Sequence, residues 1–326
     1  MSRFIYTTLR PQMYHGHNQK PPFFEGWYFK LVSQDESQRL AVIPGIILGE
    51  QAHAFIQVLN GVSGHSTYHT YPLEEFWASQ EDFDVRIGGS RFSVDRVSLD
   101  IRDDLGTVTG ELAFLDINPW PVSLRSPGIM GWYAWVPRME CYHGVLSFDH
   151  PIQGDLTING ETFAFTNGRG YIEKDWGQSF PAAWVWFQSN HFSTPGTCLT
   201  ASVAIIPWQR SAFRGFIVGL WHQGLLYRFA TYNGAHIESL AIGKHSIDWV
   251  LRNKEYRLEM HTQQAPGGLL LGPTKIEMGK RVDETLSATV DVRLSRLSGE
   301  TVFAEQGKYA GLEVNGEIER LSSQGG

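Results

Sequence analysis

ATVDVRL, residues 288–294, carries Ala288, Val290, Val292 and Leu294 at alternate positions with Thr289, Asp291 and Arg293 between them. That is the spacing of a strand with one face buried and the other in water. The same period runs through Val97, Leu99, Ile101 and through Tyr256, Leu258, Met260. Asn159-Gly160 stands between DLTI and ETFAF, and Asn315-Gly316 between LEV and EIE. Asn-Gly between such runs predicts a tight hairpin at each place. No window longer than about ten residues keeps a 3.6 period with caps at both ends. The 34 glycines and 15 prolines interrupt the chain at strand-like intervals. The fold class expected is all-β. A βαβ layout needs helical crossovers of about a dozen residues, which are missing, so Rossmann-type folds are set aside.

An internal echo divides the chain. GWYFKLVS (26–33), AVIPG (41–45) and AFIQVLNG (54–61) are followed, about 160 residues later, by AWVWFQSN (183–190), AIIPW (204–208) and GFIVGLWHQG (215–224). An aromatic strand, a strand ending in Ile-Pro and a Phe-Ile strand closing on glycine recur in the same order. The expectation is two similar antiparallel β-barrel domains, residues 1–178 and 179–326, with room for an apolar ligand inside or between them.

Composition narrows the function. Of 326 residues 42% are hydrophobic and 19% charged, which is globular rather than disordered. Basic residues number 27 against 34 acidic, a net charge of -7 without basic runs, so nucleic acid is not an expected partner. Cys141 and Cys198 have no metal or disulfide-framework spacing, which suits a reducing compartment. The amino-terminal residues hold no apolar stretch of signal-peptide length. No apolar run approaches the roughly 20 residues of a spanning helix. A cytoplasmic location, with room for peripheral contact at a membrane, is expected.

Candidate chemistry concentrates in GRGYIEKDWGQSFPAAWVWFQSNHF, 168–192, where Glu173, Lys174 and Asp175 stand among Tyr171, Trp176, Trp184, Trp186 and Phe187. A carboxyl desolvated by aromatic surface keeps its proton to higher pH, as a general acid requires. Glu173 and Asp175 are the acid candidates; the alternative is a solvated loop with a local ion pair. FFEGWYF, 23–29, repeats the pattern with Glu25 beside Trp27 and Tyr28. MECYHG, 139–144, offers Glu140, Tyr142 and His143, and in a strand the first two share one face while His143 takes the other. The 12 histidines include His15-Gly16-His17, His65 and His69 but no HExxH. A surface loop is the preferred reading of His15 and His17, and no metal is expected. GxSxG, Walker A and GxGxxG are all absent from the sequence.

FFEGWYF and YIEKDWGQSFPAAWVWFQSNHF, with GPTKIEMG at 272–279, resemble in content and order the distinctive stretches of tocopherol cyclases. More distantly the layout is similar to carotenoid hydratases and other two-domain lipocalin-like proteins. The resemblance implies tandem lipocalin-like barrels and a cofactor-free, acid-initiated ring closure of a prenylated hydroquinone to a chromanol. It implies Glu173 or Asp175 as proton donor, Glu25 as second acid or phenol orienter, and Trp27, Tyr28, Trp176 and Trp186 as cavity lining. Glu140, Tyr142, His143, Tyr171, Lys174 and Trp184 complete the expected substrate-binding set. The partner expected is an apolar small molecule, a prenylated quinol or isoprenoid. The chain departs from plant cyclases at Asp175, where they have Asn, and at Gln178 and Ser179, where they have glycines, and it lacks a long insertion in the first half. A hydratase of an isoprenoid alkene, or a carrier that performs no chemistry, is the alternative.

Overall fold

The computed structural model describes residues 3–322. It contains α1 (Arg3–Thr8), twenty-two strands and α2 (Glu319–Ser322). Contacts divide it into two compact units, Met1–Phe180 with Leu269–Arg281, and Pro181–Gly268 with Val282–Gly326. The return of residues 269–281 to the first unit was not foreseen from sequence.

The first unit holds β1 (Phe23–Val32), β2 (Arg39–Leu48), β3 (His53–Asn60), β4 (Ser66–Tyr71), β5 (Phe76–Ala78), β6 (Asp84–Ile87), β7 (Ser90–Ser93), β8 (Arg96–Asp103), β9 (Gly106–Phe114), β10 (Cys141–Ile158), β11 (Glu161–Ala164) and β12 (Arg169–Gly177). Their order is β4-β3-β2-β1-β12-β10-β9-β8-β7-β6-β5, with β11 paired to β10. The second part of the chain supplies β13 (Ala183–Ser189), β14 (Cys198–Trp208), β15 (Ser211–His222), β16 (Leu225–Ala230), β17 (His236–Ile242), β18 (Ser246–Arg252), β19 (Tyr256–Gln263), β20 (Gly268–Pro273), β21 (Met278–Arg296) and β22 (Thr301–Gly316). Here the order is β16-β15-β14-β13-β22-β21-β19-β18-β17. The two sheets follow one plan: the first strand runs outward through three successive hairpins on one side and pairs with the last long strand on the other. The three echoed segments are β1, β2, β3 and β13, β14, β15. Both sheets are antiparallel, and each hydrogen-bonded order is an open path.

Alternation gives each unit its core. Trp27, Phe29, Leu31, Val42, Ile56, Val97, Leu99, Ile101 and Ile172 join one buried cluster. Val185, Phe187, Leu199, Trp249, Leu258, Met260, Val290, Val292 and Leu294 join a second. Complete burial of a large apolar side chain contributes about 1.5–3 kcal/mol, so the alternating strands are held chiefly by these faces.

Asn159 (φ 50) and Gly160 (φ 87) form the expected turn from β10 to β11. The second expected hairpin is corrected. Asn315 and Gly316 end β22, pairing with Trp184 and Ala183, and the chain then turns into α2. EIE is too short to pair back, whereas Ile318 and Leu321 pack on the second core. The hairpin of residues 269–281 is tied to the first unit by Gln57, whose side chain accepts from Leu271 N (2.8 Å) and donates to Leu271 O (2.9 Å). Among the described residues no helix is long and apolar enough to cross a membrane.

Candidate active site

β1 and β12 pair antiparallel, with Glu25 opposite Trp176, Trp27 opposite Lys174 and Tyr28 opposite Glu173. Successive side chains point to opposite faces of a strand. Glu25, Trp27, Lys174 and Trp176 therefore share the face that builds the first core. Tyr28, Tyr171, Glu173 and Asp175 share the other. The three candidate acids do not converge: Glu25 is separated from Glu173 and Asp175 by the sheet itself.

On the core face, Lys174 and Glu25 form a tight ion pair whose side chains are both fully buried. Lys174 Nζ also donates to Met13 O (2.6 Å) and lies 3.2 Å from His15 Nδ1, so each of its three N–H bonds has a partner. The ammonium sits over the rings of Trp27 (4.6 Å) and Trp176 (4.9 Å). Glu25 accepts further from the backbone N–H of His15, at 2.8 Å to Oε2. His15 Nε2 lies 3.3 Å from Thr7 O, and Nδ1 lies 3.2 Å from Lys174 Nζ and 3.4 Å from Glu25 Oε1. Burial, then Lys174, holds the His15 pKa below its ordinary value, in keeping with a neutral ring. Burial brings Lys174 down to about 8 against the pull of Glu25. Burial works to raise Glu25, but Lys174 and His15 outweigh it and hold the carboxyl below its usual range. Glu25 is thus an ionised partner, the opposite of the protonated carboxyl that a second acid would be.

The surface-loop reading of His15 and His17 is corrected as well. His15 stacks on Trp176 (4.2 Å, 10°), whose other neighbour in the stack is Tyr142 (5.4 Å, 8°). His17 packs on Tyr14 and reaches Ser79 O at 3.1 Å. Residues 13–17 fold inward because they complete the hydrogen bonding of a buried charge pair.

On the opposite face, Tyr171 Oη donates to Glu173 Oε2 at 2.5 Å. His143, across from Asp175 in the β10–β12 register, places Nδ1 2.9 Å from Asp175 Oδ1 and Nε2 3.5 Å from Glu173 Oε2. The imidazole is hydrogen-bonded to Asp175 and lies at ion-pair distance from Glu173. Side-chain exposure rises along the row, 6% for Glu173, 15% for His143 and 29% for Asp175, so the array is closed at its tyrosine end and open at its aspartate end. The solvated-loop alternative falls, since these residues occupy the middle of a buried strand. His143, Glu173 and Asp175 also bring one ligand atom each within 4.8 Å of one another, so a cation could be held here. As placed, the two carboxylates take different ring nitrogens, and an imidazole gives a metal only one. Proton sharing suits this geometry better than chelation.

Glu140 lies just before β10, and its carbonyl accepts from Gln178 and Ser179. Burial raises its pKa, against the opposing effects of Ser179, Lys275 and Lys280. Tyr142 is on the core face and donates to Val136 O (2.6 Å), so it parts from His143 as the alternation requires. Trp184 and Trp186 belong to the second unit, on the face of β13 away from its core, where Trp184 Nε1 donates to Glu313 Oε2 at 2.6 Å. Sequence reading does not single out Met13, sets His15 aside as a surface residue and gives no role to Cys141, whose thiol lies 3.9 Å from Asp175 Oδ1. The only signal for the first two was their place in a carboxylate-free run leading into Glu25.

Residues 116–316 match a family model described as tocopherol cyclase-like. A probable chloroplastic tocopherol cyclase of Oryza sativa subsp. japonica is 24% identical over 321 residues, covering 80% of this chain and 67% of the rice protein. The chloroplastic tocopherol cyclase of Zea mays is 23% identical over 371 residues, covering 93% and 77%. Among solved structures, CghA with Sch210972 superposes at TM-score 0.60 with 13% identity, covering 91% of this chain and 89% of that one. Kievitone hydratase from Nectria haematococca superposes at 0.52 with 12% identity, covering 93% and 94%. At such identities these structures establish the fold, all-β and lipocalin-like as expected.

Proposed function

This chain belongs to the tocopherol cyclase-like family, and on that premise we propose that it closes the ring of a prenylated hydroquinone by proton transfer from the Tyr171–Glu173–His143–Asp175 array. The observation that carries this reading is the imidazole of His143 hydrogen-bonded to Asp175 at 2.9 Å with the carboxylate of Glu173 at ion-pair distance, 3.5 Å, from its other nitrogen. Such an array stores a proton in a partly closed site and can take one back, as a net isomerisation requires. A proton moves from the array to the less substituted carbon of the prenyl alkene, leaving a tertiary cation. The phenol oxygen adds to that cation, forming the C–O bond, and its proton returns to the array. Atoms and charge balance with no cofactor. Tyr28, on the same face opposite Glu173, offers a ring face to the passing cation. Trp27 and Trp176, turned to the core with Lys174, do not serve the array as lining. A substrate of this kind partitions into lipid, so work at a membrane surface accompanies the reading.

The test is conversion of methyl-phytyl hydroquinone to its chromanol by wild type and by Glu173→Gln, His143→Asn and Asp175→Asn. Loss of a general acid lowers turnover by about a hundredfold or more, and folded variants slowed to that degree carry the proposal. Binding without conversion in wild type makes the protein a carrier. A product with added water makes it a hydratase, the same proton having been followed by a different nucleophile.

A further inference from the structure

Residues 117–139 contain no Asp or Glu, but they contain Arg125 and Arg138; residues 1–24 also lack carboxylates. Acid-free runs also occur at 51–73 and 176–237, so it is the exposed side chains and the two arginines, not the lack of acids, that mark this loop. The structure brings residues 117–139 and the amino-terminal segment together. Phe4 of α1 meets Trp135 edge-on at 6.1 Å, and Trp135 Nε1 donates to Leu124 O at 2.9 Å. The segment from Gly128 to Trp135 is a 3-10 turn broken at Gly131 (φ 58). The break sends Ile129 and Met130 inward, at 1% and 7% exposure, and turns Trp132 outward at 45%. Leu124 is 68% exposed, Phe4 46% and Val122 40%. The two segments, joined through Phe4, Trp135 and Leu124, thus expose four large apolar side chains to solvent, with Arg125 and Arg138 exposed on the same loop.

A monomeric protein seldom leaves such a group uncovered without a partner. Arg125 and Arg138, both exposed beside these apolar side chains, favour a partner that is apolar and anionic. We propose that this surface docks on an anionic lipid bilayer, with Leu124 and Trp132 entering the interface and Arg125 and Arg138 meeting headgroup phosphates. Indole sits well at the boundary of headgroups and chains, and apolar insertion combined with basic charge is the usual means of peripheral attachment. For its purpose the inference rests on the cyclase reading, since a prenylated quinol is delivered from lipid.

The experiment is flotation of the full chain with vesicles of phosphatidylcholine alone, and with a third of the lipid replaced by phosphatidylglycerol. Wild type should float with the anionic vesicles. Leu124→Ser with Trp132→Ser should lower partitioning at least about tenfold. Arg125→Ser with Arg138→Ser should lower it about thirtyfold on anionic vesicles while leaving neutral vesicles unaffected. Failure of wild type to float, or flotation of both double variants like wild type, overturns the proposal. Turnover of detergent-dispersed quinol separates docking from chemistry. Variants as fast as wild type in micelles support docking, and variants slowed equally in micelles and on vesicles place these residues in the path of the substrate and overturn it. If even wild type turns nothing over in micelles, the cyclase reading fails and flotation still decides the docking surface.

Discussion

The two faces of the β1–β12 pair carry the same kinds of groups and use them differently. On the core face, Lys174, Glu25 and His15 satisfy one another completely in a closed aromatic box. On the other, Tyr171, Glu173, His143 and Asp175 form a row whose exposure rises toward one end. Closed charge holds a structure together; charge with an open end can exchange protons. Glu-Lys-Asp at 173–175 reads as a local ion-pair cluster, yet the alternation sends Lys174 to a carboxylate 149 residues away and leaves its neighbours for the chemistry.

The contrast is broken most severely at the buried pair. Removing one member strands a charge inside the first core, which costs about 3–5 kcal/mol. Glu25→Gln and Lys174→Met should each lower stability by that order in urea unfolding. The double variant, which strands no charge, should lose less than either single one. A double variant whose loss equals the sum of the two singles would show that the pair is not coupled, and the structural role given to this face would fail.

Acid attacks the core face next. Burial holds His150 neutral, with its pKa lowered from 6.5 to about 3, and His15 is lowered in the same direction. The unfolded chain takes up these protons below pH 6.5 and the folded chain does not, so stability falls as pH drops through that range. Between pH 6.5 and 5 His150 alone accounts for about 2 kcal/mol. Below about pH 4.5 Glu25, lowered from that value, adds a further loss in the same direction. Unfolding midpoints at pH 7 and pH 5 should differ accordingly, and His150→Gln should flatten the difference. Equal midpoints for wild type would mean that these groups titrate normally when folded.

How legible this was in the sequence follows from which interactions are local. Alternation is local, so the all-β class, the turn at Asn159-Gly160 and the separation of Tyr142 from His143 could be read directly. Parity was legible too: once YIEKDW is a strand, Glu173 and Asp175 must share a face that Lys174 leaves. What could not be read was register, because nothing local sets Trp27 opposite Lys174 or Asp175 opposite His143. Without it Glu25 was grouped with the acids, when its partner lies in a distant strand. Gly16 and Asn18 made His15 look like a surface residue, although the loop folds inward to supply hydrogen bonds that only the folded charge pair demands. The return of residues 269–281 to the first unit rests on distant contacts such as Gln57 with Leu271, 214 residues apart, and Ser66 with Leu269. Asn315-Gly316 misled for the opposite reason: its turn signal was local, but the packing of Ile318 and Leu321 decided the outcome.

Two tyrosines give the finest test of the distinction. Tyr171 donates to Glu173 on the array face; on the core face Tyr142 donates to Val136 O and accepts from Met139 N–H at 3.2 Å. Replacing either by Phe removes its hydroxyl hydrogen bonding and should cost about 1–2 kcal/mol of stability. Turnover should separate them. Tyr171→Phe withdraws a donor from a group in the proton array and should slow ring closure by up to about tenfold, whereas Tyr142→Phe should leave it unchanged. Equal slowing in both would mean that the two faces act as one unit. No slowing in either would mean that the array ends at Glu173 and that the tyrosine serves only packing.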